Sequence, residues 1–288
     1  MHIEHPQKLE AALYVVATPI GNLRDISLRA LDVLASADVV AAEDTRNTAH
    51  LLKHHSIHAK QLIAVHQHNE RGAAQKLVVL IQSGQSVAFV SDAGTPAVSD
   101  PGALLVQAVL AAGLRVIPIP GASAVVAALS ASGLAAPHFL FYGFLPNKSA
   151  ARRSVMQELI SHPYTLVFYE APHRIVECVA DLHAVFGGER QIVLAREVTK
   201  LFETIHSCKL SEAENWLASD ANQQRGEFVV LVSGAEPSVG LSAETLSILE
   251  LLLEELPLKQ AVQLATKITG ANRSELYQLA LERKKATD

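Results

Sequence analysis

Apolar residues gather along the first half of the chain into short runs, each ending in a small or polar turn. Runs over 12–17, 38–42, 62–65 and 87–90 show no alternation, the pattern of strands buried on both faces of a parallel sheet. Between them the spacing turns helical. Leu28, Leu31, Leu34 and Ala35 mark one helix behind a cap at Asp25, and helices follow over 47–54 and 70–82. Another helix carries Leu104, Leu105, Ala108 and Val109 on one side, with Pro101 in its first turn and Ser99 or Asp100 as its cap. A fifth strand over 115–120 contains Pro118, which has no N–H and so belongs at an edge or a bulge. An Ala-rich helix follows from the turn at Gly121. Such alternation predicts a doubly wound, mostly parallel sheet.

The pattern changes near Pro137. Strands are predicted over 139–144, 165–169, 191–195, 203–207 and 228–232, with helices near 150–160, 173–186 and 211–219. The close spacing of the later strands predicts hairpins and a mixed sheet. After a linker over 234–238, Leu246, Leu249, Leu253 and Leu256 form one helix face and Leu258, Ala261, Val262, Ala265 and Ile268 a second. Gly270 stops that helix, and Asn272 with Glu275 reads as a capping-box start for a third. The fold class is therefore α/β, with an N-terminal α/β domain over 1–137, a second over 138–235, and a helix-turn-helix-like unit over 241–288.

Composition narrows the picture. In 288 residues, 49% of them apolar, no run approaches the roughly 20 needed to span a membrane. The opening residues 1–6 are polar and carry an acid, unlike a signal peptide, and the expected compartment is the cytoplasm. Cys178 and Cys208 lie far apart with no ligand spacing, so neither a disulfide nor a metal site is expected. His54–His55 and His66–His68 read as solvated loop histidines. A net charge of −5 argues against a protein that coats nucleic acid, though not against reading a folded RNA through local basic patches.

Several signatures are missing. No G-x-G-x-x-G follows a strand, no P-loop occurs, and Gly121-Ala122-Ser123-Ala124-Val125 lacks the second glycine of a nucleophile elbow. Three small-residue turns stand out instead: Thr18-Pro19-Ile20-Gly21-Asn22, Ser91-Asp92-Ala93-Gly94-Thr95-Pro96 and Pro120-Gly121-Ala122-Ser123-Ala124. Small residues let backbone amides and carbonyls approach a flat ligand, and turns after strands are where open α/β sheets bind.

This set of turns resembles the tetrapyrrole methylase (class III, S-adenosylmethionine-dependent) superfamily. Longer strings narrow the resemblance: Ala17-Thr18-Pro19-Ile20-Gly21-Asn22-Leu23-Arg24-Asp25-Ile26-Ser27, Ala42-Glu43-Asp44-Thr45-Arg46, Ser91 to Pro96, and Phe168-Tyr169-Glu170-Ala171-Pro172-His173-Arg174. They are similar to the ribosomal RNA small subunit methyltransferase I family, whose members 2′-O-methylate a cytidine in the decoding region of 16S rRNA. The resemblance implies S-adenosylmethionine folded in a cleft between two α/β domains. Ser91, Asp92, Ala93, Gly94 and Thr95 would face its methionine and ribose part, with Ser123 and Ala124 alongside. Tyr169, Glu170 and Ala171 would approach from the second domain. Pro19 and Gly21 are carried over as cofactor contacts too, although the first turn departs from the G-x-G-P-G-D-type string of porphyrin-modifying relatives. A homodimer acting on 16S rRNA in the small subunit is also implied.

Methyl transfer to a hydroxyl calls for positioning and a proton acceptor. Asp44 is the first candidate, with Arg46, Asp25 and Asp100 as further catalytic candidates; Glu170 could also orient or accept. Arg24, Arg174, Lys200, Arg273 and Arg283 are candidates for holding RNA phosphates. Each has a plain alternative: Asp25 and Asp100 as helix caps, Arg46 as a surface ion pair with Glu43. The rival readings are a tetrapyrrole C-methyltransferase on the same fold and a ligand-sensing nucleic-acid-binding regulator. Near-balanced charge in the last unit speaks against the regulator.

Overall fold

The computed structural model describes residues 8–134, 137–236 and 243–287. β1 (Leu13–Val16), β2 (Val39–Ala42), β3 (Leu62–Ala64), β4 (Val87–Val90) and β5 (Val116–Ile119) form an all-parallel sheet in the order β3-β2-β4-β1-β5. The unbroken apolar runs follow from burial on both faces. α1 (Leu28–Ser36) and α2 (Thr45–His54) cover one face with Ala30, Val33, Leu34 and Leu52. α3 (Glu70–Gln82) and α4 (Ala103–Ala111) cover the other with Ala74, Leu77, Ile81, Leu105 and Val109. Pro118 lies in the edge strand β5, where a missing donor is tolerated.

Two helix starts differ from the sequence expectation. α1 is capped by Ser27, whose Oγ accepts from the Ala30 N–H at 3.1 Å, while Asp25 sits in a short 3-10 turn that Asn22 caps. The buried stripe of α1 is correspondingly Ala30, Val33 and Leu34, and Leu28 is 69% exposed. α4 uses neither Ser99 nor Asp100 as its cap. Glu70 Oε1, from the start of α3, accepts from the backbone N–H groups of Gly102 (2.9 Å), Leu104 (2.9 Å) and Leu105 (3.3 Å). A carboxylate arriving from another helix is invisible to local capping rules, and it leaves Asp100 without a capping duty.

β6 (Phe139–Phe144), β7 (Thr165–Glu170), β8 (Gln191–Arg196), β9 (Thr204–Lys209) and β10 (Phe228–Val232) form a mixed sheet, ordered β6-β7-β10-β8-β9. β6 and β7 are parallel and the other pairs antiparallel, with β8 and β9 as a hairpin. α6 (Ser149–Leu159), α7 (Ile175–Phe186) and α8 (Leu210–Ser219) bury one face. On the other face lies α5 (Ala124–Ala131), whose Val125 and Ala128 pack on Val167, Val193, Ala195, Val229 and Leu231. The last helix of the parallel half thus finds its core on the second sheet. β6 shifts register between Phe141 and Gly143, and Gly143 adopts φ +85°, a conformation that favours glycine. A Cβ there would stand 2.8 Å from Ser99 Oγ, so the bulge receives the loop that precedes α4.

Residues 235–288 form a separate compact unit. α9 (Ala243–Glu255), α10 (Leu258–Thr269) and α11 (Arg273–Thr287) share a core of Leu249, Val262, Ala265, Leu276 and Ala280. Gly270 ends α10 in the left-handed conformation, and Asn272 Oδ1 accepts from the Ser274 N–H at 2.8 Å. Ile268, expected on the buried face of α10, is 59% exposed. Residues 237–242, including part of the expected linker, lie outside the described residues.

Replacing Glu70 by Ala strips three N–H groups at the start of α4 of their acceptor, two of them on the buried residues Gly102 and Leu105. The expected loss is about 1–3 kcal/mol, with Glu70→Gln losing less because an acceptor remains. Urea unfolding measures it, and an unchanged midpoint in Glu70→Ala would show that water replaces the carboxylate.

Candidate functional site

Because β1 lies between β4 and β5, the turns after these three strands are neighbours at one sheet edge. They are also bonded to one another. The Thr18 N–H donates to the Gly94 carbonyl at 2.8 Å and the Gly94 N–H to the Thr18 carbonyl at 3.1 Å; Thr95 Oγ1 donates to the Ala122 carbonyl at 3.2 Å. Gly94 holds φ +76°, and a Cβ there would lie 3.3 Å from Ile20 Cγ2 and 3.8 Å from the Ala122 carbonyl.

These turns wall a cavity of about 530 Å³ between the two sheets, within the roughly 300–1,000 Å³ usual for small-molecule sites. Ala93, Gly94, Thr95, Ser123 and Ala124 line it from the first sheet; Tyr169, Glu170 and Ala171 line it from the second. Ser123 stands at the N-cap of α5 without a side-chain cap bond, which leaves its hydroxyl to the cavity. Burial, then the nearby Asp100, push the Tyr169 hydroxyl above the usual tyrosine range, with the Val125 backbone working the other way.

Pro19, Gly21, Ser91 and Asp92 are not among the residues that line the cavity. Ser91 is buried: its carbonyl accepts from Thr18 Oγ1 at 3.3 Å and its hydroxyl donates to the Ala93 carbonyl at 3.3 Å. Asp92 Oδ1 accepts from the Asp44 N–H (3.1 Å) and Oδ2 from Asn47 Nδ2 (3.0 Å), and its own N–H donates to Glu43 Oε2 (3.3 Å). Gly21 lies under the Lys200 side chain, which a Cβ would overlap.

The four catalytic candidates separate. Asp44 caps α2, accepting from the Arg46 N–H at 2.8 Å, and pairs with Arg46 Nη2 at 2.6 Å. Arg46, first through its side chain and then its backbone, holds the Asp44 carboxyl at about 2. Asp44 is therefore ionised, committed and weakly basic. Its partner is Arg46 rather than the expected pairing of Arg46 with Glu43. Asp25 is exposed and does not line the cavity. Asp100 does line it. Burial raises its carboxyl to about 6, with Glu43 and then Asp92 adding to the rise and the nearby Ser91 hydroxyl working against it. Glu43 is raised as well, by burial first and by Asp92 and Asp44 after it, while the Asp92 N–H works the other way.

Among the RNA candidates, Arg24 is exposed beside the first turn. Arg174 folds inward: its Nη2 donates to the Leu145 carbonyl at 2.7 Å, its Nε lies 3.1 Å from Glu170 Oε1, and its Nη1 meets Asn147. Lys200 lines the cavity with Nζ between Glu197 Oε1 (2.7 Å) and Glu227 Oε2 (2.8 Å). Lys200 is part of the wall, whereas Arg174 does not line the cavity and is tied to Glu170, which does. In the helical unit Arg283 pairs with Glu250 at 2.9 Å, Arg273 is exposed at the start of α11, and the side chains of Lys284 and Lys285 lie outside the described residues. Sequence reasoning passed over Phe144, Glu197 and Glu227 as cavity residues. Phe144 is 53% exposed with its ring 5.5 Å from that of Tyr169; in the sequence it is one apolar position of a strand, with only Gly143 beside it as a signal. Among the described residues no group of His, Cys, Asp and Glu is arranged to hold a metal ion, and no helix is long and apolar enough to cross a membrane.

Two stacked-together α/β sheets with glycine-turn walls around one cavity define a methylase of the tetrapyrrole type. The family model of tetrapyrrole (corrin/porphyrin) methylases matches residues 12–214, and the RsmI C-terminal HTH domain matches residues 239–284. The chain belongs to the ribosomal RNA small subunit methyltransferase I family. It is 55% identical to the protein of that name from Pseudomonas aeruginosa over 94% of this chain and 97% of the relative. It is 47% identical to that from Escherichia coli O157:H7 over 95% and 96%, and 51% identical to that from Vibrio cholerae over 94% of each. Among solved structures, the methyltransferase CobJ is similar with a TM-score of 0.59 at 21% identity, over 78% of this chain and 94% of that one. Uroporphyrin-III-C-methyltransferase from Thermus thermophilus is similar with a TM-score of 0.53 at 22% identity, over 77% and 94%. These two likenesses concern the fold.

Proposed function

We propose that this protein methylates small-subunit ribosomal RNA, transferring a methyl group from S-adenosylmethionine to the ribose 2′-oxygen of a cytidine in the decoding region of 16S rRNA. The reaction takes place in the cytoplasm. The observation that carries the reading is the wall of three turns bonded through the second, two of them lying within the strings that resemble the rRNA methyltransferase I family. The names of the relatives support an rRNA substrate, and a fold relative solved with S-adenosylhomocysteine supports the cofactor.

The residues fit that cofactor. The cavity has the volume for it, Gly94 adds no side chain to its lining, and Thr95 and Ser123 bring hydroxyl-bearing side chains to it. Ala93, Gly94, Thr95, Ser123 and Ala124 hold it from one side and Tyr169, Glu170 and Ala171 from the other, with Ser91, Asp92, Pro19 and Gly21 supporting the turns from behind. When bound, S-adenosylmethionine supplies a methyl group on a sulfonium whose sulfur leaves as a neutral thioether. The chain's own task is to hold the ribose hydroxyl in line and exclude water, and such positioning is worth up to roughly 7–11 kcal/mol. Arg24, Arg46, Arg273 and Arg283 supply the grip on phosphates, and the protein works as a homodimer, the commonest closed assembly.

Isolated small subunits, incubated with wild-type protein and methyl-labelled cofactor, should acquire one 2′-O-methylcytidine. Label on a porphyrinogen and not on RNA would select the tetrapyrrole reading, and light scattering at the mass of a single chain would remove the dimer. Gly94→Val should abolish cofactor binding in calorimetry while the protein stays folded, since a branched side chain at this φ occupies the floor of the site. Deleting residues 241–288 should leave cofactor affinity unchanged, because every lining residue precedes 230. RNA binding should weaken and lose salt sensitivity, by a slope of about 0.7 for each phosphate contact removed.

A further inference from the structure

We infer that Asp100, which lines the cavity, is the group that takes the proton of the ribose hydroxyl, and that Glu43, bonded to the Asp92 N–H at the same sheet edge, is a positioning residue for it. The inference rests on the methyl-transfer reading and adds the acid–base chemistry it leaves open.

The carboxylates at this edge are distinguished by what their oxygens already do. Asp44 is spent on Arg46 and the start of α2. Both oxygens of Asp92 accept hydrogen bonds, from the Asp44 N–H and Asn47. Glu43 accepts from the Asp92 N–H and is not among the cavity-lining residues. Asp100 lines the cavity, and Glu70 has taken over the capping of α4 that its position suggested. Three carboxylates from different strand ends and one loop therefore stand together, and of these three Asp100 lines the cavity; the other carboxylates of the wall, Glu170, Glu197 and Glu227, are paired with Arg174 or Lys200.

The backbone fixes that presentation. Ala97 (φ +65°) and Ser99 (φ +62°) both occupy the left-handed region, at a cost of about 1–3 kcal/mol each. The loop is held there from several sides. The Ala97 N–H donates to the Pro101 carbonyl at 3.2 Å, Glu70 anchors Gly102 onward, and Ser99 seats against Gly143 in the bulge of β6. That last contact sets Asp100 beside Phe144 and Tyr169, which also line the cavity.

Charges facing Asp100 come from every element around it. Glu43 follows β2 and Asp92 follows β4, with the Ser91 hydroxyl beside them; Tyr169 comes from β7. Lys200, the lysine of the cavity wall, is neutralised by Glu197 and Glu227. Like charge and burial thus dominate, and Asp100 titrates at about 6, close to the pH at which a proton acceptor works best. In the step itself the 2′-oxygen forms its bond to the methyl carbon as the carbon–sulfur bond breaks and that electron pair stays on sulfur. The hydroxyl proton passes to an Asp100 oxygen and then to solvent.

The test combines rates with a titration that needs no RNA. With saturating cofactor and small subunits, the wild-type rate should rise with pH through a limb near 6. Asp100→Asn should lower the plateau by about 10²–10⁴-fold with cofactor affinity retained, and Asp100→Glu should recover part of it. Removing the like charge in Glu43→Gln eases ionisation of Asp100, so the limb should move to lower pH. Carbon-detected NMR of the free protein should show the Asp100 carboxyl moving the same way. A folded Asp100→Asn protein that keeps the wild-type rate, or a limb and an Asp100 titration that Glu43→Gln leaves in place, would overturn the inference. If wild-type protein transfers no methyl to the subunit, the functional reading fails instead, and the NMR titration still decides whether Glu43 governs Asp100.

Discussion

Everything at the site depends on the hydrogen bonds that tie three turns together at one edge of the parallel sheet. The paired Thr18 and Gly94 backbones and the Thr95 bond to Ala122 turn three separate loops into a continuous wall. The strand order makes this possible, since β1 is inserted between β4 and β5. A two-sided bond between Thr18 and Gly94 also explains the small residues of these turns. Any side chain on Gly94 would press against Ile20, itself a cavity-lining residue, and would strain a backbone held at φ +76°.

The second sheet completes the cavity by a shared helix. α5 starts at the third turn, and its core contacts are with β7, β8 and β10, so the first wall is docked onto the second through buried aliphatic area. Such burial is worth roughly 25 cal/mol per Å² of apolar surface, and it fixes Ser123 and Tyr169 at the same opening. Charged side chains at the rim are arranged to cancel locally: Lys200 with Glu197 and Glu227, Arg174 with Glu170. The exception is the group of Glu43, Asp92 and Asp100, where negative charges accumulate and the nearest basic side chain, Arg46, is already paired with Asp44 while its charge also reaches Asp92. Like charge gathered in this way raises proton affinity.

Within the chain the carboxylates illustrate how one residue type serves different ends. Glu70 caps a helix that is not its own, Asp44 caps its own helix while bound to Arg46, and Asp92 cross-links two strand ends. Each of those tasks commits carboxylate oxygens to hydrogen bonds within the fold. Asp100 escapes them because Glu70 occupies the place it would otherwise fill, which connects a packing detail between α3 and α4 to the chemistry proposed for the cavity.

Periodicity alone was enough for both sheets and nearly all helices, because unbroken apolar runs and 3.6-residue stripes are local records of burial. Pro118 called for an edge or a bulge, and β5 is an edge strand. The small-residue turns pointed to a ligand-binding edge, and their strings to a family, because backbone approach needs residues without bulk at particular positions. What the order of residues does not contain is who meets whom. Glu70 in place of Asp100 was decided by a partner distant in sequence, whereas Ser27 in place of Asp25 and Arg46 with Asp44 are local caps whose choice among neighbouring candidates the folded backbone made. Lys200 and Arg174 looked like free cations and are bound to carboxylates brought close by strand pairing and a helix start. Phe144 read as one more apolar strand position until the bulge at Gly143 turned that strand toward the cavity. The choice among Asp25, Asp44 and Asp100 belongs wholly to the tertiary structure, since proton affinity depends on burial and on neighbouring charge, and both are set only when the two sheets close around the site.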